Sequence, residues 1–172
     1  MLYKVIEYFG PGDEKWGAFI KNHYIKNLSR FDSVDGILCP SKFTPESTED
    51  WKNCVNEDAM IDYITNLEYA SKVHKKFPKA RLVGLDCGKN NDKDKTLIGY
   101  DIIDGYKDVS LITNWGPHDK NHPLKDFTIQ DNGLISDFSI AEQAVKTFNV
   151  SHGKDPHVKN CQIWAVHNPL IS

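Results

Sequence analysis

The chain has 172 residues, 40% of them hydrophobic and 26% charged, with a formal net charge of -3. This length buries a core without staples and fits one domain over residues 1–172, and the ordinary composition argues against long disorder. The slightly acidic balance argues against a nucleic-acid partner, which needs a concentrated basic face.

The four cysteines, Cys39, Cys54, Cys87 and Cys161, are widely spaced and form no CxxC pair. That usage reads as reduced and cytoplasmic. Glu7 interrupts the apolar opening, so no secretory leader is expected. No apolar run reaches the roughly 20 residues that span a bilayer.

Residues 2–9 read as a strand, halted at Gly10-Pro11-Gly12. Asp13 then stands as an N-cap for a helix over 13–28, with Trp16, Phe19, Ile20, Tyr24 and Leu28 along one stripe. Residues 36–40 read as a short strand closed by Pro40, and 41–56 as a surface loop anchored by Trp51. Asn56 or Asp58 is expected to cap a long helix over 57–77, with Met60, Tyr63, Ile64, Leu67, Ala70, Val73, His74 and Phe77 inward and Pro78 just beyond. Strands are expected over 81–87, 96–103 and 109–115, joined as an antiparallel meander through the polar run 88–95 and the Asp104-Gly105 turn. Asp131-Asn132-Gly133 marks another turn, 139–149 a helix, and 161–166 a central strand with two apolar faces. The expectation is an α+β (or mixed α/β) fold: a central, mostly antiparallel sheet of about five strands drawn from these segments, with helices 13–28, 57–77 and 139–149 packed on it.

Charge is unevenly placed. Residues 46–68 hold seven acids (Glu46, Glu49, Asp50, Glu57, Asp58, Asp62 and Glu68) against one base, Lys52. Acids opening a helix complement its dipole, but acids in the preceding loop do not. A docking surface for a basic partner accounts for both.

Two histidine groups are candidates for chemistry. His118 and His122 are spaced i, i+4, as a helical metal pair would be, but Pro117 and Pro123 leave barely one turn and no HExxH follows. His152, His157, Cys161 and His167 match no finger or deaminase spacing. No GxxxxGK[ST], strand-following GxGxxG or GxSxG is present. Asp86, Asp101 and Asp104 lie on or beside neighbouring expected strands, so a metal-nuclease cluster is the best enzymatic lead. Their apolar neighbours favour structural hydrogen bonding. Of the four tryptophans, Trp16, Trp51, Trp115 and Trp164, Trp115 is the one most expected to be partly exposed. The balance of these readings is no metal, no cofactor and no catalytic set.

The run Leu97-Ile98-Gly99-Tyr100-Asp101-Ile102-Ile103-Asp104 into Ser110-Leu111-Ile112-Thr113-Asn114-Trp115-Gly116 resembles small bacterial immunity proteins, in which a strand of type G-Y-D-I-x-D precedes S-x-L-x-N. Asn132-Gly133-Leu134-Ile135 before a helix, and the final 158–164 run, extend the likeness over residues 97–166. The resemblance implies a non-enzymatic cytoplasmic protein of a contact-dependent growth inhibition or polymorphic toxin system. Such a protein binds the C-terminal domain of its cognate toxin and blocks it. Toxins of this kind are often basic nucleases, which suits Glu46, Glu49, Asp50, Glu57, Asp58 and Asp62 as partner-binding acids, with Trp51 and Trp115 as anchors. The alternative is a small metal-dependent hydrolase or nuclease using Asp86/Asp101/Asp104 or His118/His122.

Overall fold

A computed structural model describes residues 1–6, 9–33, 47–57, 60–90, 96–107 and 109–169, and for 55–57 and 60–62 the backbone alone. In chain order the elements are β1 (Leu2–Ile6), α1 (Trp16–Lys21), α2 (Thr48–Trp51), β2 (Cys54–Glu57), β3 (Met60–Ile64), α3 (Leu67–Lys76), β4 (Arg81–Cys87), β5 (Thr96–Ile103), α4 (Phe138–His152), α5 (Pro156–Lys159) and β6 (Gln162–Asn168). The described strands form one sheet in the order β2-β3-β1-β4-β6-β5, and every pairing is antiparallel. The fold is α+β, with helices packed on that sheet.

Strand register divides the core by face. Val5 pairs with Leu82, and both pack with Ala70 and Val73 of α3. On the same face Asp86 pairs with Ala165 and Ala165 with Tyr100, which pack with Ala141, Ala144 and Phe148 of α4. So α3 and α4 cover two ends of one face. The other face carries Ile6, Tyr63, Val83, Leu85, Ile103, Leu134, Trp164 and Val166. The apolar alternation on both sides of β4 and β6 explains why these strands are central.

Several expected elements take another form. The helix expected over 57–77 is a hairpin followed by a shorter helix. Glu57 pairs with Met60 and Cys54 with Ile64, and α3 starts only at Leu67. Tyr63 and Ile64 mimic helical spacing, yet they pack into opposite faces of the sheet. Adjacent apolar residues suit a strand buried on both sides as well as a helix. Asn66, not Asn56 or Asp58, is the cap: its side chain accepts the Tyr69 N–H. The helix over 13–28 is only the six residues of α1, and Asp13 precedes it, accepting the Lys15 N–H at 2.8 Å. The 41–56 loop contains α2 and the start of β2. The strand expected over 36–40 lies outside the described residues, as do residues 7–8 of the first strand.

The meander is also corrected. β6 lies between β4 and β5, so those two never pair. The expected third strand, 109–115, is a capped turn. Ser110 Oγ accepts N–H groups from Ile112 and Thr113, and the Asn114 and Trp115 N–H groups both reach Ser110 O. A hydroxyl that satisfies successive amides favours a turn over a ladder despite β-prone neighbours. Ser110 and Ile135 instead form single bridges to Ile103 and Tyr100, closing the β5 edge.

Residues 104–136 contain no helix or strand among those described, yet Leu111, Ile112, Leu124, Leu134 and Ile135 are fully buried. Buried backbone without a ladder needs other partners. Three aromatic side chains supply them. His23 Nε2–H donates to Thr113 O (3.0 Å), Tyr24 O–H to Ile112 O (2.6 Å), and His122 Nε2–H to Trp115 O (3.0 Å). Tyr24 and His122 stack with ring centroids 3.8 Å apart. Gly133 takes φ +82° in the 131–133 turn, where a Cβ would lie 2.6 Å from Thr113 Cγ2, so only glycine fits.

Candidate functional site

The acidic segment falls on α2 and the β2–β3 hairpin at one end of the sheet. Ser47 Oγ accepts the Asp50 N–H at 3.1 Å and caps α2, whose first turn holds Glu49 and Asp50. Acids there complement the free N–H groups. Asn53 Nδ2 donates to Glu49 O, and Asn53 O accepts the Thr65 N–H, fastening α2 to the end of β3. Trp51 at the end of α2 is 38% exposed. Glu49 pairs with Lys52 at 2.7 Å, but both side chains are mostly in water. Such a pair contributes little, about 0–1 kcal/mol, and leaves the acid able to exchange partners. The Cys54 thiol is pushed up by burial and then by Asp50.

β2 is the last strand of the sheet, and no further strand pairs with it among the described residues. Glu57 ends β2 and Asp62 lies in β3. Glu46 and Asp58 lie outside the described residues. Trp115 belongs elsewhere. It is half-buried, with its ring edge-on to Phe148 (5.6 Å) and His152 (4.8 Å) of α4. α4 packs on β5 and β6, so Trp51 and Trp115 stand at opposite ends of the strand order. Trp115 is partly exposed, but Trp51, and not Trp115, is the most exposed tryptophan, while Trp16 and Trp164 are core residues.

The three aspartates of the enzymatic lead do not converge. Asp86 shares a face with Ala165 and Tyr100, so Asp101, the next residue after Tyr100, points from the opposite face. Asp101 is fully buried and accepts Ser110 Oγ–H (2.6 Å) and the Ile102 N–H (2.8 Å). Asp104, equally buried, accepts the Val109 N–H (3.1 Å) and lies 2.6 Å from His157 Nδ1.

His122 is fully buried. Its Nδ1 accepts the Leu124 N–H at 3.1 Å, so both ring nitrogens have protein partners. Burial, only partly opposed by the Trp115 hydrogen bond, lowers its pKa to about 4 and keeps it neutral. His118 is exposed on the same loop. The later histidines also separate: His152 Nδ1 meets Ser151 Oγ (2.8 Å), His157 pairs with Asp104, and His167 lies 3.6 Å from Asp86. Among the described residues, no group of three or more His, Cys, Asp or Glu gathers to hold a metal ion. Nor is any helix among them long and apolar enough to cross a membrane.

Some features had no signal in the sequence. The Asp104–His157 pair joins residues 53 apart, with the exposed Tyr106 ring edge-on to His157 at 4.9 Å. Lys4 is 2% exposed within β1, its ammonium 5.0 Å from the Tyr63 ring centroid and without a hydrogen-bond partner among the described residues. The cation–π contact offsets part of that burial. His23 repeats the His122 arrangement: its Nδ1 accepts the Ile25 N–H at 3.0 Å, and burial lowers its pKa.

A scan of protein-family models, a search of curated proteins and a search of solved structures each returned no match to this chain.

Proposed function

We propose that this chain is a cytoplasmic immunity protein, which binds the C-terminal domain of a cognate bacterial toxin and occludes its working surface without catalysis. The observation that carries the reading is the α2–β2 edge: exposed Trp51 directly follows Glu49 and Asp50, and leads into the outermost of the described strands. An exposed tryptophan is a residue type that binding surfaces use as an anchor. The acids draw in a basic partner, and the strand edge offers backbone groups to one that fits. A nuclease toxin presents the required basic surface, because it must hold phosphates. The buried polar groups support the same reading: Asp101, Asp104, His23 and His122 each hold backbone or side-chain partners that maintain the fold.

The test uses the toxin domain encoded beside this chain's gene. Purified toxin and immunity protein are mixed by stopped flow at low and high salt. Charge reversal at Glu49, Asp50 and Asp62 to lysine is expected to slow association about tenfold at low salt and flatten the salt dependence. An unchanged association rate would remove the acidic edge from the mechanism, and lack of an adjacent toxin gene would remove the reading itself. Metal analysis of the purified chain, with hydrolase assays before and after chelation, tests the competing metal-enzyme reading.

A further inference from the structure

We propose that a groove between the end of α3 and the end of β6 binds a small oxyanion, a phosphoryl or carboxylate group, on Arg81 and Asn168. The groove has a volume of about 320 Å³ and is lined by His74, Ala80, Arg81, Leu82, Asn168 and Pro169. That volume sits at the small end of ligand pockets, roughly 300–1,000 Å³.

Its polar side chains are an arginine, an asparagine and a histidine, with no acid among them. Arg81 Nη1 donates to Asp32, and Arg81 Nη2 reaches Asn168 Oδ1 at 3.5 Å. A guanidinium has five N–H donors, and the contacts among the described residues use two of them. Because Asn168 turns its carbonyl oxygen toward Arg81, its amide nitrogen is left as a donor on the exposed end of β6. His74 Nε2–H is fixed on Ala80 O at 2.8 Å, holding that ring as a wall.

Charge points the same way. Asp32 is fully buried and receives Arg81, Arg30 Nε (3.3 Å) and Asn132 Nδ2 (3.2 Å). Two guanidiniums share that one carboxylate, so among the described residues the cluster carries one positive charge in excess. Residues 69–81 add Lys72, Lys75, Lys76 and Lys79 to Arg81 and contain no acid. Burial, and then Arg30, push the Arg81 guanidinium below its ordinary range, and the charge of an incoming anion opposes that of Arg30. The planar fork of an arginine matches either a carboxylate or a phosphate. This site is separate from the acidic edge and stands or falls without it.

Isothermal titration of the full chain with inorganic phosphate, and separately with acetate, tests the proposal at ionic strength held constant with chloride. Saturable binding of either ion is expected, and the stronger of the two assigns the group. Arg81→Gln and Asn168→Asp are each expected to weaken it at least tenfold. Asn168→Asp changes an exposed side chain and leaves the Asp32 cluster intact, so it remains informative if Arg81→Gln fails to fold. No saturable binding of either ion, or Asn168→Asp binding as tightly as the unsubstituted chain, would overturn the proposal.

Discussion

At its β5 edge the sheet is closed by its own chain: Tyr100 bridges to Ile135, Ile103 bridges to Ser110, and α4 packs across β5 and β6. At the β2 edge, five strand spacings or roughly 24 Å away, the described chain adds no further strand and exposes Trp51 beside two acids. An open strand edge invites unwanted pairing, and charge is one way to restrain it. Acids at this edge discourage a second acidic copy while admitting a basic partner. The contrast separates two tasks. One end of the sheet stores stability in buried apolar and hydrogen-bonded polar groups, and at the other Glu49 and Trp51 face water.

The contrast breaks most visibly if the closed end proves tolerant. Phe148 is fully buried on α4, against Trp115 and His122. Phe148→Ala is expected to cost about 4 kcal/mol, from lost transfer energy plus an unfilled cavity. Urea denaturation followed by tryptophan fluorescence measures it. A loss under about 1 kcal/mol would mean that this end is not where stability resides.

The buried imidazoles sharpen the comparison next, through pH. His122 is held neutral with a folded pKa of about 4, against an ordinary 6.5. Between those values the unfolded chain binds a proton that the folded chain refuses. Its contribution is therefore fully present above about pH 6.5 and is lost as the pH falls toward 4. The loss between pH 6.5 and 5 is about 2 kcal/mol on that basis, and His23 acts in the same direction. Stability measured across that window should fall steeply for the unsubstituted chain and less steeply for His122→Gln. Equal slopes would mean that His122 titrates as freely as an exposed histidine.

These two effects also mark the limit of the sequence. Elements specified by local pattern were legible: β4 and β5 by their apolar runs, α4 by its stripe, the 131–133 turn by Asn132-Gly133, and β6 as a central strand by its two apolar faces. Elements decided by distant partners were not. Residues 109–115 have strand-like composition, but Ser110, held by Asp101 nine residues earlier, turns them. Met60, Tyr63 and Ile64 satisfy a helical and a doubly buried strand pattern alike, and only pairing with β1 and β2 decides between them. At the candidate surface, the excess of acids was readable from composition. That they flank an outermost strand was not, because strand order is set by contacts that join β1 and β6 into the middle of the sheet. The separation of Asp86 from Asp101 follows from the same cause, since β6 intervenes and adjacent positions alternate faces.

The smallest expected change in stability lies at the open end. Trp51 is 38% exposed on a four-residue helix and belongs to none of the buried core clusters among the described residues. Trp51→Ala should therefore shift unfolding by less than about 0.5 kcal/mol, although tryptophan is among the costliest residues to lose from a core. Its affinity for the toxin domain should nevertheless fall at least tenfold, about 1.4 kcal/mol. The two measurements together discriminate in a way neither does alone. A large stability loss would make Trp51 the anchor that holds α2 to the sheet, and any weakened binding would then be indirect. Unchanged stability with unchanged affinity would leave the aromatic outside the interface and move the search toward the exposed Tyr106 beside His157. Only an intact fold with weakened binding matches a surface whose side chains are held ready for another molecule.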